Sequence, residues 1–371
     1  MPPAVPEELV EEVLLRFPPD DPARLVRAAL VCRGWCRLVS GPAFRRRFRE
    51  FHRAPPVLGF FFNFGIRSYF VRTASTCPPL RRNWPAIDAR HGRVLRFSAT
   101  SQAGEVPLEK PLVVWDPVTG QRRQLPVAPG SFRPDHWNGA VLCASAAACD
   151  HLDCHRGPFL VVLVGTTSRE MLACVYSSEA GAWSEPTSAQ NQNCSVAPVP
   201  SALVGNALHF HCGPQRSVLR YDLGTRRMSV IHLPADCPRH IALMTTEGGG
   251  LGFADIVSST LYLWSWEASR DEAAGWEESR SIELKNSLPA RADPTSLRVV
   301  GCADSIGVIF VYSDVGILTV DLKSCRVTKV SKRSCKQSWA SHILPFMSFY
   351  TPELVTNTER VPQVIENSLE A

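Results

Sequence analysis

Lysine is scarce in this chain of 371 residues, which has six lysines against 34 arginines and none before Lys110. Genomic codon bias accounts for such an imbalance. Long apolar runs are missing too: no eighteen consecutive apolar residues occur, so we expect no transmembrane helix and no membrane partner. The first residues are acidic and lack the basic-then-apolar pattern of a secretory signal. We therefore expect the protein in the cytosol or nucleus.

Catalytic signatures are also lacking. The glycine run at 248–250 is not followed by the Lys and Ser/Thr of a phosphate-binding loop, and it is more simply a turn. The chain has no G-x-S-x-G nucleophile motif. No pair of carboxylates stands out as a glycosidase site. We therefore expect a protein that is not an enzyme and that needs no cofactor.

Thirteen cysteines are present, but a reducing compartment favours free thiols over disulfides. Most of them stand singly in apolar strings, where a free cysteine packs as a small hydrophobic residue. One cluster offers metal-binding atoms at Cys149, His151, Cys154 and His155, but no second pair follows at zinc-finger spacing. The sequence therefore predicts neither a metal nor a disulfide.

Residues 6–39 are punctuated like three short helices. Pro6 stands where a first turn tolerates a missing N–H, and the glutamates after it suit the positive end of a helix dipole. A proline pair at 18–19 ends this helix. Asp21 then offers an N-cap carboxylate, with Pro22 at the first position of a second helix.

Apolar spacing supports the same three helices. Leu9, Val13 and Leu14 fall on one face of the first. The third begins near Cys32, and from there apolar residues that include Trp35 recur at i, i+3, i+4 and i+7.

These features resemble an F-box, a motif of roughly forty residues that docks the Skp adaptor of cullin-based ubiquitin ligases. The resemblance lies in PEEL at 6–9, the LL before the proline break, the ARL of the second helix and VCRGW at 31–35, with Val5 where the family usually has Leu. Of Leu14 and Leu15, at least one is expected to point away from the module's small core. The adaptor contacts implied by the resemblance are Pro6, Leu9, Val13, Leu14, Leu15, Leu25, Leu30, Val31, Cys32 and Trp35.

A basic helix follows the motif. Residues 23–53 hold nine arginines against one acid, Glu50, and Phe44, Phe48 and Phe51 form an apolar stripe within them. A nucleic-acid patch is one interpretation. No aromatic stacking platform accompanies the arginines, so we favour a solvated face that attracts an acidic protein, and no nucleic-acid partner.

After Pro55 and Pro56 the pattern changes from helical to strand-like and stays so to about residue 350. A hairpin unit recurs in it, with a strand, an Asp at 116, 222 or 321, and a Thr or Ser three residues later at 119, 225 or 324. Weaker copies carry a serine at 177 and 265. The spacing suits propeller blades of about 40 to 50 residues. The sequence predicts about six blades, with a β-sandwich pair as the alternative.

The predicted fold class is thus α+β. Residues 1–54 form the F-box with its basic helix, 55–350 the β-propeller-like domain, and 351–371 a loose tail. The whole chain resembles plant F-box proteins with a C-terminal F-box-associated propeller. That resemblance implies a substrate-recognition subunit of a Skp–cullin–F-box ubiquitin ligase, which reaches cullin and RING subunits through the adaptor and holds an unknown target protein. Two alternatives are a non-degradative adaptor-bound scaffold and a carbohydrate-binding or hydrolytic propeller.

Overall fold

The computed structural model divides the chain into two compact units, one of Met1–Arg53 with Tyr350–Ala371 and one of Ala54–Phe349. The tail predicted at 351–371 falls, from residue 353 on, outside the described residues. The structure describes residues 6–64, 67–73, 85–97, 111–145, 149–152, 154–213, 215–238, 240–267, 275–331 and 342–352.

The described part of the first unit has four helices, α1 (Glu7–Leu15), α2 (Pro22–Ala29), α3 (Arg33–Ser40) and α4 (Pro42–His52). None of the helices in the described residues is long and apolar enough to cross a membrane. Asp21 stands at the N-cap of α2 as predicted, but its carboxylate accepts from Nε of Arg24 at 3.2 Å and makes no capping bond. The cap of α3 is Cys32, whose Sγ accepts a hydrogen bond from the backbone N–H of Trp35 at 3.4 Å.

The second unit is all-β. Its first twelve strands are β1 (Val57–Phe64), β2 (Arg67–Arg72), β3 (Ala86–Arg90), β4 (Arg93–Phe97), β5 (Leu112–Trp115), β6 (Arg122–Gln124), β7 (His136–Cys143), β8 (Phe159–Thr166), β9 (Glu170–Ser177), β10 (Ala182–Trp183), β11 (Thr187–Gln190) and β12 (Ala202–Val204). The others are β13 (Ala207–Cys212), β14 (Ser217–Asp222), β15 (Met228–His232), β16 (Ala242–Thr245), β17 (Leu251–Val257), β18 (Thr260–Glu267), β19 (Gly275–Glu283), β20 (Arg298–Ala303), β21 (Val308–Ser313), β22 (Gly316–Asp321), β23 (Val327–Ser331) and β24 (His342–Met347).

These strands form six antiparallel sheets, which are the blades of a propeller. Blade 1 is β3–β6, blade 2 is β7–β11, blade 3 is β12–β15, blade 4 is β16–β19 and blade 5 is β20–β23. Blade 6 is β24, β1 and β2. Apolar clusters fill the spaces between successive blades, so the core is divided around the ring. The six-bladed propeller is confirmed, and the β-sandwich alternative is wrong.

Blade 6 joins the two ends of the β unit. Its inner strand β24 pairs antiparallel with β1, and Phe60 stands opposite Pro345 while Phe62 stands opposite Ile343. The strand β24 also contacts β3 and β20, the inner strands of the neighbouring blades. Gly301 of β20 permits this approach, since a Cβ there would lie 2.5 Å from the carbonyl oxygen of Ile343.

The recurring Asp turns form as predicted, each between the third and fourth strands of its blade. The Asp222 carboxylate accepts from the backbone N–H and the hydroxyl of Thr225, at 2.9 and 3.0 Å. Asp116 and Asp321 make the equivalent bonds in blades 1 and 5. Ser265 departs from the pattern because it lies inside β18, opposite Glu277, and not in a turn.

The prediction that no disulfide forms is wrong at one place, where Cys194 is bonded to Cys212. An isolated bridge pairs Val196 with Cys212, and this register brings the two cysteine Cα atoms to 5.6 Å. This disulfide depends on which strands pair, and the spacing of cysteines in the sequence does not show that pairing.

We expect residues 55–371 to fold without the helices, because the propeller carries its own divided core. An expressed 55–371 fragment should show β-type circular dichroism and a cooperative melt. A matched 55–340 fragment lacks β24 and should not fold. An unfolded 55–371 fragment would show that the helices complete the propeller core.

A second prediction concerns Asp255 of β17, which is buried and whose Oδ1 lacks a hydrogen-bond partner among the described residues. Burial raises the pKa of Asp255 to about 6. An acid whose folded pKa is raised destabilises the fold as pH rises from about 4, its unfolded pKa, to about 6. Asp255→Asn should therefore increase the free energy of unfolding at pH 8 by up to about 3 kcal/mol, which raises the melting temperature there, and it should have little effect at pH 4.

The matched comparison is Asp222→Asn. Hydrogen bonds from Thr225 lower the pKa of Asp222 below its usual range, so its charged form stabilises the fold above about pH 4. This substitution should lower the melting temperature at pH 8. If Asp255→Asn also lowered it at pH 8, our account of Asp255 would be wrong.

Candidate functional site

Among the described residues of the helical unit, five large apolar side chains are exposed to solvent, namely Phe51 of α4 and four that the sequence predicts as adaptor contacts. Leu9 and Val13 lie one turn apart on α1, and they are 57% and 58% exposed. Leu30 and Val31 follow α2 directly and are 79% and 64% exposed. We call these four residues the exposed apolar set. Leaving apolar area of this size in water is unfavourable, so the set is suited to burial against a partner.

Three other predicted contact residues lie in the core of the helical unit. Leu14, Leu15 and Leu25 are 1%, 3% and 1% exposed. The expectation that Leu14 or Leu15 points away from the core is therefore wrong. The helix buries the side containing Val10 and Leu14, one turn apart, and Leu15 at its end is buried too.

The remaining predicted contacts are placed at helix starts. Pro6 is exposed at the N-cap of α1. Cys32 is exposed at the cap of α3, and Trp35 in the first turn of that helix is partly buried. Seven of the ten predicted residues are thus exposed or partly exposed, and three are buried.

Charged contacts hold α1 against α4. The Arg47 guanidinium lies 2.8 Å from a carboxylate oxygen of Glu11 and 2.6 Å from one of Glu12. The hydrogen bond with Glu12 raises the pKa of Arg47. His52 Nε2 lies 2.9 Å from the Leu15 carbonyl oxygen at the end of α1. Part of the positive charge seen in the sequence therefore serves packing within the unit.

A cleft of about 490 Å³ lies on the propeller between blades 1 and 2. Arg122 and Arg123 of β6 line one part of it, and His155 and Arg156 line another. Its acidic members include Asp116, whose Oδ2 lies 3.8 Å from Nε2 of His155. No sequence motif marks this cleft, because its walls come from segments of two different blades.

Two family models match the chain. The one described as an F-box domain matches residues 4–47. The other is described as "F-box protein AT5G49610-like, beta-propeller" and matches residues 87–354. Since the second match covers more than half of the sequence, the chain belongs to this family of F-box proteins with a β-propeller. No curated protein matches the sequence significantly.

Similar chains among solved structures are distant. One is in the crystal structure of the mitotic checkpoint complex, with 10% identity, a TM-score of 0.35, and coverage of 66% of this chain and 63% of that one. Another is the WD40 domain of SCAP from fission yeast, with 13% identity, a TM-score of 0.38, and coverage of 67% and 52%. The chain thus spans 63% and 52% of these two, and such likenesses carry no argument about function.

The exposed apolar set gives a sharper interface test than Leu14 and Leu15, whose replacement by Asp should unfold the helices. We expect Val13→Asp with Val31→Asp to weaken adaptor binding at least about 100-fold, because each buried valine contributes about 1.5 kcal/mol and docking must also dehydrate the new charges. Binding can be measured by calorimetry with a purified Skp-type adaptor.

The matched control is Val127→Asp with Val257→Asp. These propeller valines are 51% and 45% exposed, so the control introduces the same two charges at similarly exposed positions. It should bind the adaptor like the original chain. Equal binding by both double variants would show that the exposed apolar set is not the docking surface.

Proposed function

We propose that this chain is the substrate-recognition subunit of a Skp–cullin–F-box ubiquitin ligase. The observation that carries the proposal is the F-box match at 4–47 joined, in one chain, to a propeller match at 87–354. The F-box docks a Skp-type adaptor, and the adaptor connects to the cullin and RING subunits. The propeller binds the target protein.

The exposed apolar set supports the docking step. Exposed residues Leu9, Val13, Leu30 and Val31 supply the apolar area, while Leu14, Leu15 and Leu25 stabilise the helices that present it. The helical unit therefore has separate residues for folding and for docking.

Catalysis belongs to the assembly and not to this chain. Holding a target beside a ubiquitin-loaded enzyme raises the effective concentration of the two reactants. The propeller contributes specificity, and its loops and the cleft between blades 1 and 2 are the surfaces available for it.

The test is reconstitution with adaptor, cullin and RING subunits, followed by ubiquitin-remnant proteomics in cells. The original chain should assemble with all three, and a set of lysines in other proteins should lose ubiquitin when Val13→Asp/Val31→Asp replaces it. The Val127→Asp/Val257→Asp control should preserve the assembly with all three subunits.

Two outcomes would contradict the proposal in different ways. If the folded chain bound no Skp-type adaptor, the proposed F-box function would be wrong. A chain that assembles normally but changes no ubiquitin site would be an adaptor-bound scaffold.

A further inference from the structure

Four side chains with metal-binding atoms meet beside the end of β7. Cys143 is the last residue of that strand, Cys149 and His151 lie in the connection to β8, and Cys154 begins a 3-10 helix, Cys154–Arg156. One sulfur or ring nitrogen from each residue lies within 4.8 Å of the others. We propose that these four residues bind a structural zinc ion.

The distances fit a tetrahedral site. Zinc lies about 2.3 Å from thiolate sulfur and about 2.0 to 2.1 Å from imidazole nitrogen, so a tetrahedron needs S–N separations of about 3.6 Å and S–S separations of about 3.8 Å. The Cys154 Sγ lies 3.6 Å from Nδ1 of His151. The longest separation, at most 4.8 Å, needs a contraction of about 1 Å. Three cysteines and one histidine fill all four positions, which is typical of a structural and not a catalytic zinc.

Hydrogen bonds already arrange two of these ligands. The backbone N–H of His151 donates to Cys149 Sγ at 3.3 Å. The His151 ring stacks on the ring of His91, with centroids 4.0 Å apart and planes 14° apart. His91 Nδ1 accepts in turn from the backbone N–H of Cys143 at 3.2 Å. Contacts like these around the ligands orient them for a metal.

A buried arginine supplies an independent observation. Arg93 is 2% exposed and donates to the carbonyl oxygens of Cys154 and Gly157. Its Nη1 is buried and has no hydrogen-bond partner among the described residues. The groups that interact with this guanidinium include the thiols of Cys143 and Cys154 and the Asp116 carboxylate. Neutral thiols compensate a buried cation poorly. Zinc with three thiolates and one neutral imidazole carries a net charge of −1, which would compensate the guanidinium.

The site differs from the cluster visible in the sequence. His155 belongs instead with Asp116 in the cleft, with 3.8 Å between Nε2 and Oδ2. Cys143 takes its place, although it appears in the sequence as a core residue of a strand. The expectation of no metal rested on the lack of a second ligand pair at zinc-finger spacing, and the fold instead brings Cys143 of β7 to the cluster.

Zinc here would fix the β7–β8 connection to the end of β7, beside the β3–β4 hairpin of blade 1, and with it one wall of the cleft. Cys143 and Cys154 belong to blade 2 and its connection, whereas His91 and Arg93 belong to the β3–β4 hairpin of blade 1. The residues directly after Cys154, His155 to Pro158, line the cleft. A bound zinc ion would therefore keep these cleft-lining residues in place.

The test uses the full chain, purified under reducing conditions from zinc-supplemented medium. Elemental analysis should find about one zinc per chain. Cobalt added to the metal-free protein should give the strong visible bands of a tetrahedral site and thiolate-to-cobalt charge transfer. Cys149→Ser and His151→Asn should each weaken cobalt binding by at least about tenfold.

The matched control is Cys325→Ser, which replaces a partly buried cysteine in blade 5 that accepts a hydrogen bond from Arg280. This variant should keep full metal binding. Circular dichroism shows whether each variant is folded, and Cys149 is only partly buried, so its replacement should leave the blades intact. Stoichiometric zinc in folded Cys149→Ser, or no uptake of zinc or cobalt by the original chain, would overturn the site.

Discussion

The pairing of β24 with β1 is the constraint on which the propeller depends. It joins residues nearly 290 positions apart and thereby closes a ring that would otherwise end in two open sheet edges. The same strand contacts the inner strands of blades 1 and 5. Because each apolar cluster lies between two blades, every blade needs a neighbour on both sides to bury its faces.

Within the helical unit, the division between buried and exposed apolar residues has a simple cause. Helices of eight to eleven residues are too short to be stable alone and gain their stability from packing. Leu14, Leu15 and Leu25 supply that packing, together with Phe44 and Phe48 of α4. Apolar side chains left over after this small core is filled remain in water, and they are the ones available to a partner.

The loop between β7 and β8 shows how a propeller can carry chemistry without changing its architecture. The blades form a rigid frame, and the loops between their strands can vary in sequence without disturbing that frame. Here the loop places the ring of His151 against His91 in the hairpin of blade 1, and the backbone N–H of Cys143 at the end of β7 donates to His91. The adjoining cleft takes its walls from both blades.

Local sequence features determined much of this protein. The proline pair at 18–19 ends α1, Pro22 begins α2, and the Asp turns form at Asp116, Asp222 and Asp321. These features depend on residues within one turn of each other, so the sequence alone predicts them. The strand repeats likewise predicted the number of blades.

Tertiary structure decided what depends on distant contacts. It buried both Leu14 and Leu15, paired Cys194 with Cys212 through strand register, and added Cys143 to a cluster that the sequence showed without it. Helical periodicity does not show how much of a helix surface the neighbouring helices will bury. Cysteine spacing does not show which strands become neighbours. Those outcomes follow from the register and packing of segments far apart in the chain, and only the folded chain fixes them.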